Sequence, residues 1–187
     1  MEIGTNCTIT TRDGIDLLVR RLVATDATSL QTFNSALSPD SRQMFLPHAY
    51  DDATVAKAMT RSQNGDDYVL GAFYGERLMG YFFLWCVRER VPLLGIGMLD
   101  EFQHRGLGRQ MMQLLIDNAV AEGRDGIELT TMPDNHKAFA LYQKCGFKYH
   151  ADVDNRQGDG KIVVERAMFY TIKPGAKHTK GAHGPPL

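Results

Sequence analysis

The chain has 187 residues, is 43% hydrophobic and carries a formal net charge of −1. That suits one sizeable core and excludes a broadly basic nucleic-acid surface. Its longest apolar stretch, 78–87, falls short of the roughly 20 residues that cross a bilayer, and Met1-Glu2-Ile3 lacks the basic-then-apolar order of a secretory signal. Cys7, Cys86 and Cys145 form no C-x-x-C pair, so neither a disulfide framework nor a zinc motif is expected, and a reducing cytoplasm fits.

In chain order, alternation at Ile15, Leu17 and Val19 after Asp13-Gly14 predicts a first strand to about Val23. The period then lengthens. Leu30, Phe33 and Leu37 predict a helix over 26–37, Ser38-Pro39-Asp40 a capped second helix, and 53–61 a third, closed by Asn64-Gly65. Aromatic-rich runs 68–74 and 78–87 around Gly75-Glu76-Arg77 read as a β-hairpin. A fourth strand is expected over Leu93 to Leu99. The face Leu107, Met111, Leu114, Leu115, Ala119 predicts the best-defined helix, stopped near Gly123. Gly126 to Met132 is the expected fifth strand, Ala138 to Cys145 a short helix, and Phe147–Val153 with Lys161–Ile172 a final hairpin. From Lys173 the chain turns to Gly, Pro and three lysines without an acid, which predicts a flexible basic tail over 173–187. The preceding single domain, 1–172, then holds a net of about −4.

Gln103-His104-Arg105-Gly106-Leu107-Gly108-Arg109 joins a buried strand to the amphipathic helix. Glycine lets the backbone approach a ligand, and the free N–H groups of a first helical turn favour an anion, so the expected ligand is a phosphate. A tight strand-to-helix turn needs glycine for packing as well. No G-x-x-x-x-G-K-[ST] occurs, and Met111 stands where G-x-G-x-x-G would place its third glycine, which disfavours nucleoside triphosphatase and dinucleotide folds.

Together, Gln103-x-x-Gly106-x-Gly108 and Asn135-x-x-Ala138-x-x-Leu141-Tyr142-x-x-x-Gly146-Phe147 resemble the paired signature of the GNAT superfamily of acetyl-CoA-dependent N-acetyltransferases. The resemblance is close over 93–150 and looser over 15–172. It implies an α/β fold whose central mixed, mostly antiparallel sheet is flanked by helices and splays between the fourth and fifth strands, with acetyl-CoA in the opening. By the same resemblance Ile96, Gly97 and Met98 line the pantetheine arm, while His104, Arg105, Gly106, Leu107, Gly108 and Arg109 cradle the pyrophosphate. Asn135 matches a position that caps its helix and contacts the cofactor, and Tyr142 one whose hydroxyl lies beside the thioester sulfur.

Thioester-to-amine transfer needs a neutral amine, stabilisation of the carbonyl oxygen and a proton for the leaving thiolate. A backbone N–H near Met98 suits the second need, and Tyr142, protonated at neutral pH, the third. The base is left open. Thr130 stands where many relatives carry glutamate, and Glu128, Asp100 and Glu101 are the remaining candidates. Cys145 reads as a core residue rather than a nucleophile, His48 and His150 as isolated, and no histidine spacing suggests a metal. The resemblance implies an acceptor entering between 33–48 and 152–161, and the acids in and beside those segments, Asp40, Asp51, Asp52, Asp152, Asp154 and Asp159, around an apolar rim suit a cationic amine: a small molecule, a protein N terminus or a lysine. A homodimer is compatible with this sequence. A non-catalytic acyl-CoA-binding or sensing module is the alternative to the enzyme.

Overall fold

The computed structural model describes residues 6–179. Eight strands form one sheet: β1 (Asn6–Thr10), β2 (Asp16–Arg21), β3 (Tyr68–Tyr74), β4 (Arg77–Trp85), β5 (Leu93–Met98), β6 (Gly126–Thr131), β7 (Lys148–Arg156) and β8 (Ile162–Thr171). The helices are α1 (Ala27–Ala36), α2 (Pro39–Met44), α3 (Asp52–Gln63), α4 (Leu107–Ala121) and α5 (His136–Lys144). Strand order is β1-β2-β3-β4-β5-β6-β8-β7, with every pairing antiparallel except β5 with β6.

The first strand of the sheet has no counterpart in the sequence reading. In Asn6–Thr10 only Ile9 is buried, so an edge strand with one core residue shows no apolar period. The strands expected as fourth and fifth are therefore β5 and β6. They stay in register at Leu93 opposite Glu128 alone, and beyond that row they part. The expected splay is there.

Alternation along β4 covers both faces of the sheet. Tyr81 meets Phe33 of α1 and Phe45 just past α2, whereas Gly80 approaches Met111 of α4 on the other face. α4 buries Leu107, Met111, Met112, Leu115, Ile116 and Ala119. Removing a Leu or Met of this size from water stabilises the fold by about 1.5–3 kcal/mol each. The caps foreseen for α2 and α5 are present: Ser38 Oγ accepts from the Ser41 N–H at 3.2 Å, and Asn135 Oδ1 from the Ala138 N–H at 3.2 Å.

The stretch expected to leave the body at Lys173 does not leave there. Lys173 Nζ donates to Asp125 Oδ1 at 2.9 Å, the Thr179 N–H to Glu128 Oε2 at 3.2 Å, and the His178 ring stacks on His150 at 4.0 Å. Polar contacts of this kind carry no apolar period, so composition alone reads the segment as solvated. The remainder of the expected tail, 180–187, lies outside the described residues.

Candidate functional site

Where β5 and β6 part, an opening of about 1270 Å³ runs through the sheet. It is larger than a compact small-molecule pocket needs and has room for a large ligand. Of the residues expected around it, Ile96, Gly97, Met98, Gln103, His104, Gly106, Gly108, Arg109, Asn135 and Tyr142 line it. Arg105 and Leu107 do not. Arg105 turns to Asp13 at 3.0 Å and lies over the Phe102 ring, while Leu107 is 1% exposed and belongs to the core, offering the site its backbone alone.

Geometry gives the glycines of this region different tasks. Gly106, with φ +86, is the residue before α4, in a left-handed conformation that strains any other side chain. A Cβ on Gly108 would meet Leu141 Cδ2 of α5 at 2.9 Å, so this glycine lets the two helical ends converge. At Gly97, which lines the opening, a Cβ would lie 2.4 Å from the Phe45 ring, so glycine there makes room for that ring. Gln103 is a brace. Its amide nitrogen lies 3.0 Å from both Met98 O and Ser41 Oγ, fixing the end of β5 against α2.

The rim at the α4 and α5 ends is cationic. Arg12, from the β1–β2 turn, lays its side chain across Gly106, and its N–H bonds Arg105 O at 2.9 Å. Arg12, Arg109, Lys137 and Lys144 all line the opening, and Lys137 Nζ lies 3.3 Å from His104 Nε2. Arg109 falls in the first turn of α4 and His136 and Lys137 in that of α5, with no acid in either turn. Helix dipoles disfavour cations there, and an anion between the two N-termini reverses the balance. That mismatch is legible in the sequence, and it marks Lys137; Lys144, in the last turn of α5, accords with its dipole. Arg12 is brought in only by the β1–β2 turn.

Tyr142 lies in the wall of the opening, 8% exposed. Burial first, then the charge of Glu165, pushes its phenol up to about 12, so it remains a donor at any physiological pH. Cys145 is half-buried and burial raises its thiol, which disfavours the nucleophilic thiolate.

The candidates for the base divide in the structure. Asp100 bonds Ser41, its carboxyl held low by Ser38 and Ser41, and Glu101 pairs with Arg77 at 2.8 Å; neither lines the opening. Glu128 lines it, 3% exposed, with Oε1 3.1 Å from His150 Nε2, so His150 is not isolated. Thr130 lines it too, its Oγ1 3.3 Å from Asn155 Nδ2. One acid went unnoticed: Glu165 of β8, 7% exposed, whose Oε2 accepts from Asn155 Nδ2 at 2.9 Å. Its signal was its phase, since Glu165 falls in step with buried Ala167 and Phe169 on one face of the strand.

The side expected to take the acceptor is bounded by Phe45, Leu46 and Pro47 after α2 and by Val153, Asn155 and Gln157 near the β7–β8 turn. These segments meet where the Gly158 N–H donates to Leu46 O at 3.0 Å. Of the acids expected there, only Asp40 lines the opening; Asp51, Asp52, Asp152, Asp154 and Asp159 do not, and Asp159 pairs with Lys161 at 2.9 Å. Buried Glu128 and Glu165 take the place of acidic loops.

Glu128, His150 and His178 bring one ligand atom each within 4.8 Å of one another, a grouping that sequence spacing did not reveal. The two imidazoles are stacked at 4.0 Å with 17° between their planes. Nearly parallel rings direct their in-plane lone pairs side by side, so no point about 2.1 Å from both nitrogens lies in both ring planes. The contact is a stacking one.

Comparison with known proteins places the chain. The family model for "Acetyltransferase (GNAT) family" matches residues 30–147. A curated relative, the uncharacterised N-acetyltransferase YvbK of Bacillus subtilis, is 32% identical over 90 residues, which are 48% of this chain and 57% of the relative. The chain thus spans little more than half the length of that relative. Among solved structures, the GNAT domain of S. lividans PAT superposes with a TM-score of 0.75 at 18% identity, covering 92% of this chain and 99% of that one. The PaiA N-acetyltransferase of Thermoplasma acidophilum, solved with coenzyme A, gives 0.67 at 20% identity over 83% and 99% of the two chains.

Proposed function

This chain belongs to the GNAT acetyltransferase family, and from that premise we propose that it transfers the acetyl group of acetyl-CoA to a primary amine by direct attack, both substrates sharing the opening. The observation that carries the reading is Tyr142, a buried phenol in the wall of a gap whose other end is a cationic rim on two helix N-termini.

The chain's groups fit acetyl-CoA. Gly106, Gly108 and the first N–H groups of α4 offer phosphate donors, with Arg12, Arg109 and Lys137 adding charge. The edge of β5 beyond Leu93 has no ladder partner on the β6 side, and its backbone groups suit the amides of an extended arm. When bound, acetyl-CoA supplies an acetyl group activated as a thioester. Backbone N–H donors near Met98, held by Gln103, suit the charge that develops on the carbonyl oxygen. Tyr142 donates the proton that the departing sulfur needs, and its raised pKa keeps it loaded.

A module that merely binds acyl-CoA would need the cradle but would have no use for Tyr142. A free-thiol release assay against a panel of primary amines separates the two. Amine-dependent release of CoA thiol is the expected result. Binding of acetyl-CoA without release for any amine, small or peptidic, would leave the binding module standing.

A further inference from the structure

We propose that Glu165 receives the acceptor's ammonium and takes its proton, with Asn155 as the positioning residue; this rests on the acetyl-transfer reading. An alkyl ammonium near pKa 10 is almost wholly protonated at neutral pH, and only the free amine has a lone pair with which to attack. Thr130 lines the opening, but its hydroxyl is no base at neutral pH. The need passes to a carboxylate of the opening.

Placement favours Glu165 over Glu128. Glu128 stands on the row where β5 and β6 still pair, and its oxygens are engaged by His150 and by Thr179. Glu165 stands beyond that row. Thr130 pairs with Ala167 across β6 and β8, and Glu165 is the next residue of β8 on the same face. Its charge is felt by Tyr142, which puts the proton acceptor and the proton donor within electrostatic reach of each other.

A carboxylate this buried is costly unless paired or hydrogen-bonded. Among the described residues, the bond from Asn155 is its one hydrogen bond, and no Lys or Arg lies within ion-pair distance. Asn155 spends its Nδ2 on Glu165 and Thr130, while its Oδ1 is buried with no partner among the described residues. The carboxylate therefore suits a primary ammonium, which brings a positive charge and N–H donors. Phe45, Phe83 and Trp85 furnish an aromatic wall to the same opening, a surface that favours cations.

The step balances. Glu165 takes one N–H proton of the ammonium, and the freed lone pair forms the bond from nitrogen to the acetyl carbon. The carbon–sulfur bond breaks with its electron pair on sulfur, and Tyr142 protonates that sulfur. The second N–H proton, given up as the amide forms, restores Tyr142. The proton on Glu165 passes to solvent.

Glu165→Gln keeps the size of the side chain and a carbonyl oxygen for Asn155. It is expected to leave the acetyl-CoA thermal shift as in wild type while lowering kcat/KM for the amine at pH 7 by about 10² or more. The deficit should shrink as pH rises towards the pKa of the amine. Calorimetry on the CoA-saturated protein should show amine affinity reduced about tenfold, consistent with a lost charged contact. Asn155→Ala should show the same pattern more weakly. A Gln variant with the wild-type pH profile and amine affinity, or a loss found in Glu128→Gln instead, would overturn the assignment while leaving acetyl transfer intact. If wild type binds acetyl-CoA yet turns over no amine, acetyl transfer fails and takes the base with it.

Discussion

On one side of the opening the wall comes from consecutive residues, 103–109, and acts through backbone N–H groups, glycines and helix ends; on the other, Phe45, Asn155 and Glu165 arrive from separate elements and act through side chains. The first wall fixes its ligand by local conformation, so a short motif specifies it. The second is specified by register. Which residue of β8 faces Thr130 depends on pairing through β6, and a shift of one residue would turn Glu165 away. A cofactor common to a family can be held by the first kind of wall while acceptors vary on the second.

The sharpest way to break the comparison is at the hinge between the walls. Tyr142→Phe keeps the ring that packs on Phe147 and removes only the hydroxyl, so kcat should fall by about 10² or more with acetyl-CoA binding retained. Wild-type turnover would make Tyr142 a packing residue alone. On the cofactor wall, Gly106→Val forces a β-branched residue to a φ of +86. Strain of about 1–3 kcal/mol should appear as a lower melting temperature, together with loss of most of the acetyl-CoA thermal shift. Retention of that shift would place the ligand away from the turn.

Two arginines separate charge from placement. Arg12 lines the opening and Arg105 does not, so Arg12→Ala should weaken acetyl-CoA binding by roughly 1 kcal/mol or more and flatten its salt dependence. Arg105→Ala loses its pair with Asp13 and its place over the Phe102 ring and should bind as wild type. Equal losses would show that net charge rather than position decides.

Behind the side-chain wall the fold also has a pH signature. His48, fully buried beneath the aromatic cluster, is held below the usual histidine range by burial. As pH falls through the ordinary value near 6.5, the unfolded chain takes up a proton that the native His48 refuses. Stability present at pH 7 is thus lost towards pH 5, by at most about 1.4 kcal/mol per pH unit. Denaturant titrations of wild type and His48→Gln should differ in that slope; identical slopes would assign the effect elsewhere. The smallest effect is expected at the C-terminal end, where truncation after Ile172 removes the half-exposed Lys173–Asp125 pair and the Thr179 contact. A fall of about 1 kcal/mol or less in unfolding free energy is expected.

The sequence by itself determined the parts whose physics is local. The periods of α4 and β4, the Ser38 and Asn135 caps and the glycine turn before α4 each follow from residues a few positions apart, and the paired motifs led from there to the family and the splayed sheet. The tertiary structure decided what depends on remote neighbours. It placed the one-residue core strand β1 and with it Arg12, turned Arg105 outward to Asp13, gave Gly97 to Phe45, and stacked His178 on His150. It also carried Glu165 to Asn155 and Thr130. A strand's alternation says which residues share a face, but only the pairing of whole strands says what that face meets.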